Sequence, residues 1–181
     1  MRVVAGKYGS RPLQAVKGDK TRPTSDKVKG AVFSCLGGFF EGGRMLDCYA
    51  GTGSMALEAL SRGMEHADFV DESVLAIKTI KENIRSLKAE NECSVIKGNI
   101  FTVIERLEQP YDLIFIDPPY AKQKNEELIE KLETYNLIRK GAWVVVESDV
   151  KDSFPDEIAG ISKVKEKIYR STKITYYRKG E

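Results

Sequence analysis

Asp117-Pro118-Pro119-Tyr120 is the stretch of the sequence whose residue types point most directly to chemistry. It follows an apolar run, residues 113–116, that is typical of a buried parallel strand. Because neither proline can donate a backbone hydrogen bond, the strand ends here beside a carboxylate and free carbonyls. Asp117 and the Pro118 carbonyl could accept both hydrogens of an exocyclic amine while Tyr120 stacks on the ring. The stretch could equally be a plain proline turn.

A second group of residues has the spacing of a ligand-binding turn. Asp47, Tyr49 and Ala50 lead into Gly51-Thr52-Gly53-Ser54-Met55-Ala56, which matches the dinucleotide pattern G-x-G-x-x-A. Roughly 20 residues later, Asp71 ends the next predicted strand, where an acid could bind ribose hydroxyls. The pattern leaves a nicotinamide or flavin enzyme open. Asp47 argues against it, because a carboxylate there repels a pyrophosphate and suits the ammonium group of an amino-acid-bearing ligand.

Asn99 and Ile100 follow the third predicted strand and are further candidates for cofactor binding. Asn99 could hydrogen-bond an adenine amine with Ile100 packed on the ring, or it could cap the next helix. His66 is the only histidine, and three widely separated cysteines lack metal-ligand spacing. The sequence therefore predicts no metal site and reduced thiols.

Alternating strands and helices must position these residues. The patterns predict strands over residues 45–49, 67–71, 94–97, 113–117 and 142–147, and helices over 55–60, 74–87, 101–107 and around 128–132. Such alternation predicts a mostly parallel sheet with helices on both faces. Residues 164–169 and 173–178 predict an antiparallel hairpin at one edge. A further helix should begin near Thr24, Ser25 or Asp26 and end at Gly37-Gly38.

The length of 181 residues predicts a single domain, with a basic arm over 1–22 and a catalytic core over 23–181. The arm is expected to be an extended hairpin rather than a packed unit. Residues 1–44 and 160–181 are basic while 45–159 are acidic. Basic ends could bind a phosphate backbone or could simply keep the protein soluble. No apolar stretch is long enough for a membrane helix or a signal peptide, so we expect a cytoplasmic protein.

Taken together, these features resemble the class I S-adenosylmethionine-dependent methyltransferases, which have a Rossmann-like fold. More narrowly they resemble the RsmD family, which methylates N2 of one guanine in bacterial 16S rRNA. Three blocks carry the resemblance: residues 22–28, residues 46–54 with 57–63, and residues 115–120. The similarity runs along almost the whole chain. The last block alone is shared with adenine-N6 DNA methyltransferases.

The resemblance implies a role for each candidate residue. Asp47, Gly51 and Gly53 would hold the methionine part of S-adenosylmethionine and Asn99 the adenine. Of the neighbouring acids Asp71 and Glu72, the strand register favours Asp71 for the ribose. The target base would meet Asp117, Pro118 and Tyr120. The partner would be 16S rRNA or the small ribosomal subunit or its assembly particle, bound by a monomer. The residues expected to contact RNA are Arg2, Lys7, Arg11, Lys17, Lys20 and Arg22.

Two other functions stay open at this point. A DNA adenine-N6 methyltransferase would use the same amine chemistry, although it usually has an added target-recognition domain. A non-catalytic RNA-binding factor for ribosome assembly could keep the fold without the reaction.

Overall fold

The computed structural model describes residues 1–18, 23–119 and 124–181. Within these residues eight strands form one sheet. They are β1 (Arg44–Asp47), β2 (His66–Asp71), β3 (Cys93–Lys97), β4 (Tyr111–Ile116), β5 (Ile138–Asp149), β6 (Glu157–Ile158), β7 (Ile161–Tyr169) and β8 (Thr172–Arg178). Their order across the sheet is β3-β2-β1-β4-β5-β8-β7-β6. Strands β1 to β5 are parallel, and β6, β7 and β8 pair in antiparallel fashion.

Five α-helices in the described residues cover the sheet. They are α1 (Asp26–Cys35), α2 (Ser54–Ser61), α3 (Val74–Leu87), α4 (Ile100–Val103) and α5 (Asn125–Thr134). One hydrophobic core unites α1, α2 and α3 with one sheet face, and a second unites α4 and α5 with the other. The predicted mixed α/β fold with helices on both faces is thereby confirmed. None of the described helices is long and apolar enough to cross a membrane.

The strand order reverses between β1 and β4, and this fixes where a ligand can bind. The chain leaves β1 towards β2 on one side, whereas β4 lies on the other, with Asp47 in register with Phe115. In open α/β sheets a crevice forms outside the carboxyl ends of the strands at such a switch point. The two motifs found in the sequence follow β1 and β4 and so meet at this edge.

The N-terminal segment is packed against the core, so the expectation of an unpacked arm is wrong. Val3 and Leu13 are buried, and Arg2 forms an isolated antiparallel bridge with Pro12. The reason is Glu58 of α2, which is fully buried. Its carboxylate accepts hydrogen bonds from the amides of residues 4 and 5, at 2.8 and 3.1 Å.

A buried charge network holds this docking in place. Glu58 accepts a hydrogen bond from Arg62 Nε at 2.8 Å and lies 3.6 Å from Lys29 Nζ. Lys29 is fully buried and donates to the Arg2 carbonyl and to Ser54 Oγ, at 2.6 and 2.7 Å. Paired in this way, the buried charges avoid the cost that isolated ones would carry. The 57–63 block of the sequence thus anchors the N-terminal segment.

Several element boundaries depart from the sequence prediction by a few residues, and three of the differences are structural. Strand β5 begins at Ile138 rather than 142, because Tyr111 of β4 pairs with Ile138. Helix α4 gives way to a 3₁₀ turn at Ile104–Arg106, and the two-residue strand β6 was not predicted at all. None of these changes moves the carboxyl edge of the sheet.

Candidate functional site

One cleft at the carboxyl edge of the sheet contains both sequence motifs. Its volume is about 590 Å³, a size typical of small-molecule sites. Asp47 and Gly51 line it from the β1 side, and Asp117, Pro118 and Pro119 line it from the β4 side. Tyr49, Ala50, Asp71, Asn99 and Ile100 also line it. Tyr120 lies outside the described residues, and Gly53 is not among the lining residues.

The glycine turn after β1 is built by backbone geometry and by Asp71. Gly51 has φ +57° and Gly53 has φ +85°, both in the region that favours glycine. Gly51 donates its amide to Asp71 Oδ2 at 2.8 Å, and Gly53 donates to the Ala50 carbonyl at 2.7 Å. A Cβ at Gly53 would lie 3.1 Å from the Phe69 ring. Gly53 therefore shapes the turn from behind, whereas Gly51 faces the cleft.

Asp47 is a buried carboxyl group at the floor of the cleft. It is 1% exposed, and the hydrogen bond that it accepts within residues 1–18, 23–119 and 124–181 is a long one, 3.4 Å, from the Tyr49 amide. Burial raises the pKa of Asp47 to about 8, the Tyr49 hydrogen bond opposes this, and the charges of Asp71 and Glu147 add to it. A cationic ligand group at this position would supply a partner of opposite charge.

The two neighbouring acids at the end of β2, Asp71 and Glu72, make different contacts. Asp71 uses both oxygens for backbone amides, since Oδ2 binds Gly51 and Oδ1 binds Ser73 at 2.9 Å. Glu72 is exposed, lines the cleft, and accepts a hydrogen bond from Asn99 Nδ2 at 3.1 Å. Asp71 thus holds the glycine turn with one backbone amide on each oxygen, and Glu72 is the more exposed of the two acids.

Asn99 caps α4, as one of the two readings of the sequence allowed. Its Oδ1 accepts a hydrogen bond from the Phe101 amide at 2.9 Å. Ile100 begins α4 and is buried with only 2% exposed, at the wall of the cleft. Capping fixes the position of Asn99 at the cleft and leaves one lone pair on Oδ1 for a ligand amine.

Asp117 has a neighbour that the sequence analysis did not single out. β4 and β5 pair Ile116 with Val146, so Asp117 and Glu147 lie side by side at the next position. Their carboxyl groups are hydrogen-bonded, and Glu147 Oε1 also accepts a hydrogen bond from Thr24 Oγ1 at 2.7 Å. Burial first, then the charge and hydrogen bond of Glu147, raise the pKa of Asp117 well above its usual range. The only sequence signal was a Glu at the end of a predicted strand.

The N-terminal segment forms part of the cleft wall, which the sequence did not predict. Residues 15–18, together with Pro23 and Thr24, line the same cavity as the glycine turn. Asn83 of α3 exchanges hydrogen bonds with both polar backbone atoms of Gln14, at 2.8 and 3.1 Å. The anchored segment therefore reaches the carboxyl edge along α3.

The basic residues expected to contact RNA are divided between two edges of the sheet. Lys7 forms a salt bridge of 2.8 Å with Glu92, which directly precedes β3 and so lies at the amino edge. Arg11 donates to the Ser86 carbonyl at the end of α3, on the same edge. A strand rises about 3.3 Å per residue, so the amino edge lies about 20 Å from the cleft across a six-residue strand.

Two other predicted RNA contacts are better placed. Lys17 is exposed and lines the cleft. Arg2 is exposed near the start of α1, where its amide donates to Asp26 at 3.3 Å. Lys20 and Arg22 lie outside the described residues.

The fold and its cleft define a class I methyltransferase, with the strand order β3-β2-β1-β4-β5-β8-β7, a glycine turn after β1 and an Asp-Pro-Pro corner after β4. Comparison with known proteins agrees. Residues 1–178 match the family described as Conserved hypothetical protein 95 (Cons_hypoth95). The Bacillus subtilis protein YlbH is 36% identical over 182 residues, covering 99% of each chain.

Two matches from Escherichia coli point to the same family. Ribosomal RNA small subunit methyltransferase D is 30% identical over 168 residues, which cover 93% of this chain and 84% of that protein. The solved structure of yhhF superposes with a TM-score of 0.88 at 29% identity, covering 99% of this chain and 98% of that one. The chain belongs to the RsmD family of methyltransferases.

Proposed function

We propose that the protein transfers a methyl group from S-adenosylmethionine to the exocyclic N2 of one guanine in 16S rRNA, at a G966-type site. The observation that carries this proposal is the single cleft shared by the glycine turn and the Asp-Pro-Pro corner. A donor held by the first motif and an amine held by the second would face each other there. Holding two reactants in line is worth roughly 7–11 kcal/mol over free reactants.

The lining residues fit S-adenosylmethionine, which when bound supplies a methyl group on a positively charged sulfur. Asp47, buried with a raised pKa, fits the ammonium of the methionine part. Glu72 fits the ribose hydroxyls better than Asp71, whose oxygens are used by backbone amides. Asn99 and Ile100 would hold the adenine by a hydrogen bond and by packing. Gly51 would let the ligand approach the backbone.

The Asp-Pro-Pro corner fits the target amine. Asp117 and the carbonyl of Pro118 would accept its two hydrogens, which favours a nitrogen lone pair aimed at the methyl group. A negative charge beside the amine stabilises the positive charge that develops on nitrogen. Tyr120 would stack on the extruded base, an interaction worth about 1–3 kcal/mol, and this offsets part of the cost of leaving the stack.

The RNA backbone would lie along the carboxyl edge of the sheet. The exposed Lys167 of β7 is in register with Ile174, which is in register with Glu147. Two strand spacings put Lys167 about 10 Å from Glu147 on the same face of the sheet. Arg170, in the turn after β7, is exposed at the same edge. Together with Lys17 on the opposite side of the cleft, these residues would bind phosphates around the base pocket.

The activity is tested by supplying methyl-labelled S-adenosylmethionine with unmethylated small subunits, bare rRNA or DNA, and identifying the labelled nucleoside. N2-methylguanosine from rRNA is the expected product. Methyladenine from DNA would overturn the proposal in favour of the adenine-N6 enzyme, and no transfer at all would favour an assembly factor. Asp117→Ala should abolish transfer while S-adenosylmethionine still binds.

The RNA surface is tested by the salt dependence of binding. Lys17→Ala and Lys167→Ala should each reduce the slope of log affinity against log salt by about 1. Lys7→Ala is the matched control, because Lys7 is paired with Glu92 at the far edge. An equal loss in Lys7→Ala would instead support RNA binding along the whole N-terminal segment.

A further inference from the structure

The cleft holds two carboxyl groups in direct contact, only one of which belongs to the Asp-Pro-Pro corner. Asp117 directly follows β4 and Glu147 lies in β5, one position beyond the paired Ile116 and Val146, so their side chains lie on the same face of the sheet. Both line the cleft and are partly buried. Two carboxylates at hydrogen-bond distance cannot both be ionised without a large cost, so the pair shares one proton.

The hydrogen bonds give the two members of the pair different roles. Thr24 Oγ1 donates to Glu147 Oε1 at 2.7 Å, which stabilises the charged form of Glu147. Burial, then the charge and hydrogen bond of Glu147, raise the pKa of Asp117 well above its usual range, whereas the hydrogen bonds of Thr24 and Asp117 oppose the rise in the pKa of Glu147 that burial causes. Asp117 thus keeps an acceptor oxygen for a ligand in the cleft, while the negative charge resides mainly on Glu147.

We propose that Glu147 is a positioning residue for Asp117 and receives, through Asp117, the proton that the methylated amine must lose. This inference rests on the proposed amine methylation. Methyl transfer forms a carbon–nitrogen bond and breaks the carbon–sulfur bond, whose electron pair stays on sulfur. The nitrogen then carries a positive charge and one proton too many.

The carboxyl pair can take this proton without any outside base. An amine proton passes to the acceptor oxygen of Asp117 as the original Asp117 proton passes to Glu147. The pair changes from one negative charge to none, and the amine from cationic to neutral. Because Glu147 lines the open cleft, it can release the second proton to water and restore the starting state.

The groups that face Glu147 decide how the pair titrates. Asp117 directly follows β4, Asp47 lies on β1 and Thr24 lies before α1, while Lys167 lies two strands away on β7. Burial raises the pKa of Glu147, and the hydrogen bonds from Thr24 and then Asp117 hold it down. Transfer should therefore fail at low pH, where Glu147 takes up a proton and no acceptor remains. The fall of kcat at low pH is the acidic limb of the pH–rate profile. Thr24→Val should move this limb to higher pH, and Thr24→Ser should return it to the wild-type position.

Glu147→Gln tests the proposal, since an amide of the same shape cannot take the proton. We expect kcat to fall about 10²-fold or more, the range of general acid–base catalysis. KM for RNA and the Kd for S-adenosylmethionine should change by less than about twofold, and the acidic limb should disappear. Glu147→Asp should recover part of kcat. Glu157→Gln, the same change on the exposed strand β6, is the matched control and should leave kcat unchanged.

A second measurement does not depend on turnover. Carbon-13 NMR of labelled aspartate, with Asp117 assigned from Asp117→Asn, should show a titration well above 3.8 that drops in Glu147→Gln. An unchanged titration, or wild-type kcat in Glu147→Gln on whichever nucleoside the wild type labels, overturns the role of Glu147. Label on a nucleoside other than N2-methylguanosine overturns the proposed function. The comparison of wild-type kcat with that of Glu147→Gln still tests the role of Glu147 in that case.

Discussion

Binding of S-adenosylmethionine should weaken about tenfold for each pH unit below 7, because Asp47 must lose a proton before it can pair with the ligand's ammonium group. Burial raises the pKa of Asp47 to about 8. With that value, about 10% of unliganded sites carry the carboxylate at about pH 7, and about 1% at about pH 6. The apparent Kd rises in inverse proportion to this competent fraction.

Isothermal titration calorimetry from about pH 5.5 to about pH 7 measures both the Kd and the protons released, if buffers of different ionisation enthalpy are compared. The window stops at about pH 7 because the ligand's own α-amino group titrates near 7.7–8.0. Wild-type protein should release close to one proton per ligand bound. Asp47→Asn should bind weakly with a flat pH dependence, although the other cleft acids remain.

Asp149→Asn is the matched control for this experiment, because it makes the same change at an exposed position on β5. It should keep both the pH dependence and the proton release of the wild type. A wild-type Kd that stays constant across the window would refute the reasoning. So would a proton release that is the same in Asp47→Asn, since the proton would then come from another group.

Three further predictions concern stability. Because the pKa of Asp47 is raised in the folded state, its protonation contributes to the free energy of unfolding. This contribution is complete below the ordinary pKa of 3.8 and is lost as pH rises towards about 8. Asp47→Asn should therefore melt at a higher temperature than the unliganded wild type at about pH 8, as calorimetry can show. Glu58→Ala leaves Lys29 and two backbone amides without their buried acceptor; it should cost about 3–5 kcal/mol in denaturant unfolding. Gly6→Ala should loosen the N-terminal segment and speed its proteolysis, because a Cβ there would lie 1.9 Å from the Ser61 carbonyl oxygen.

The sheet and its ligand-binding edge were predictable because their signals are local. Apolar runs and glycine turns identify strands and their ends without knowledge of the partners, and parallel strands bring those ends together. Asp47 and Asp117 could therefore be assigned to one cleft before the structure was known. A helix cap is also a local signal, so capping by Asn99 could be predicted alongside adenine binding.

The contacts that the sequence did not reveal join residues far apart in the chain. Thr24 and Glu147 are separated by 123 positions, and Glu58 binds amides more than 50 residues away. Nothing in the local pattern around a Glu says whether it is solvated or buried against a distant backbone. Charge counting likewise found the basic ends but could not place Lys7 at the amino edge and Lys17 at the cleft.

The distribution of charge around the cleft would direct the cationic methyl donor and the anionic RNA backbone to different places. Asp47, Asp71, Asp117 and Glu147 concentrate acidic groups in the cleft, whereas the exposed Lys17 lies at its margin. Such a cleft repels phosphate and attracts a cationic donor, while the margin does the reverse. In the proposed reaction only the uncharged base of the RNA would then enter. The raised pKa values of Asp47 and Asp117 have the same origin, because burial and the neighbouring carboxylates disfavour the charged form of each acid.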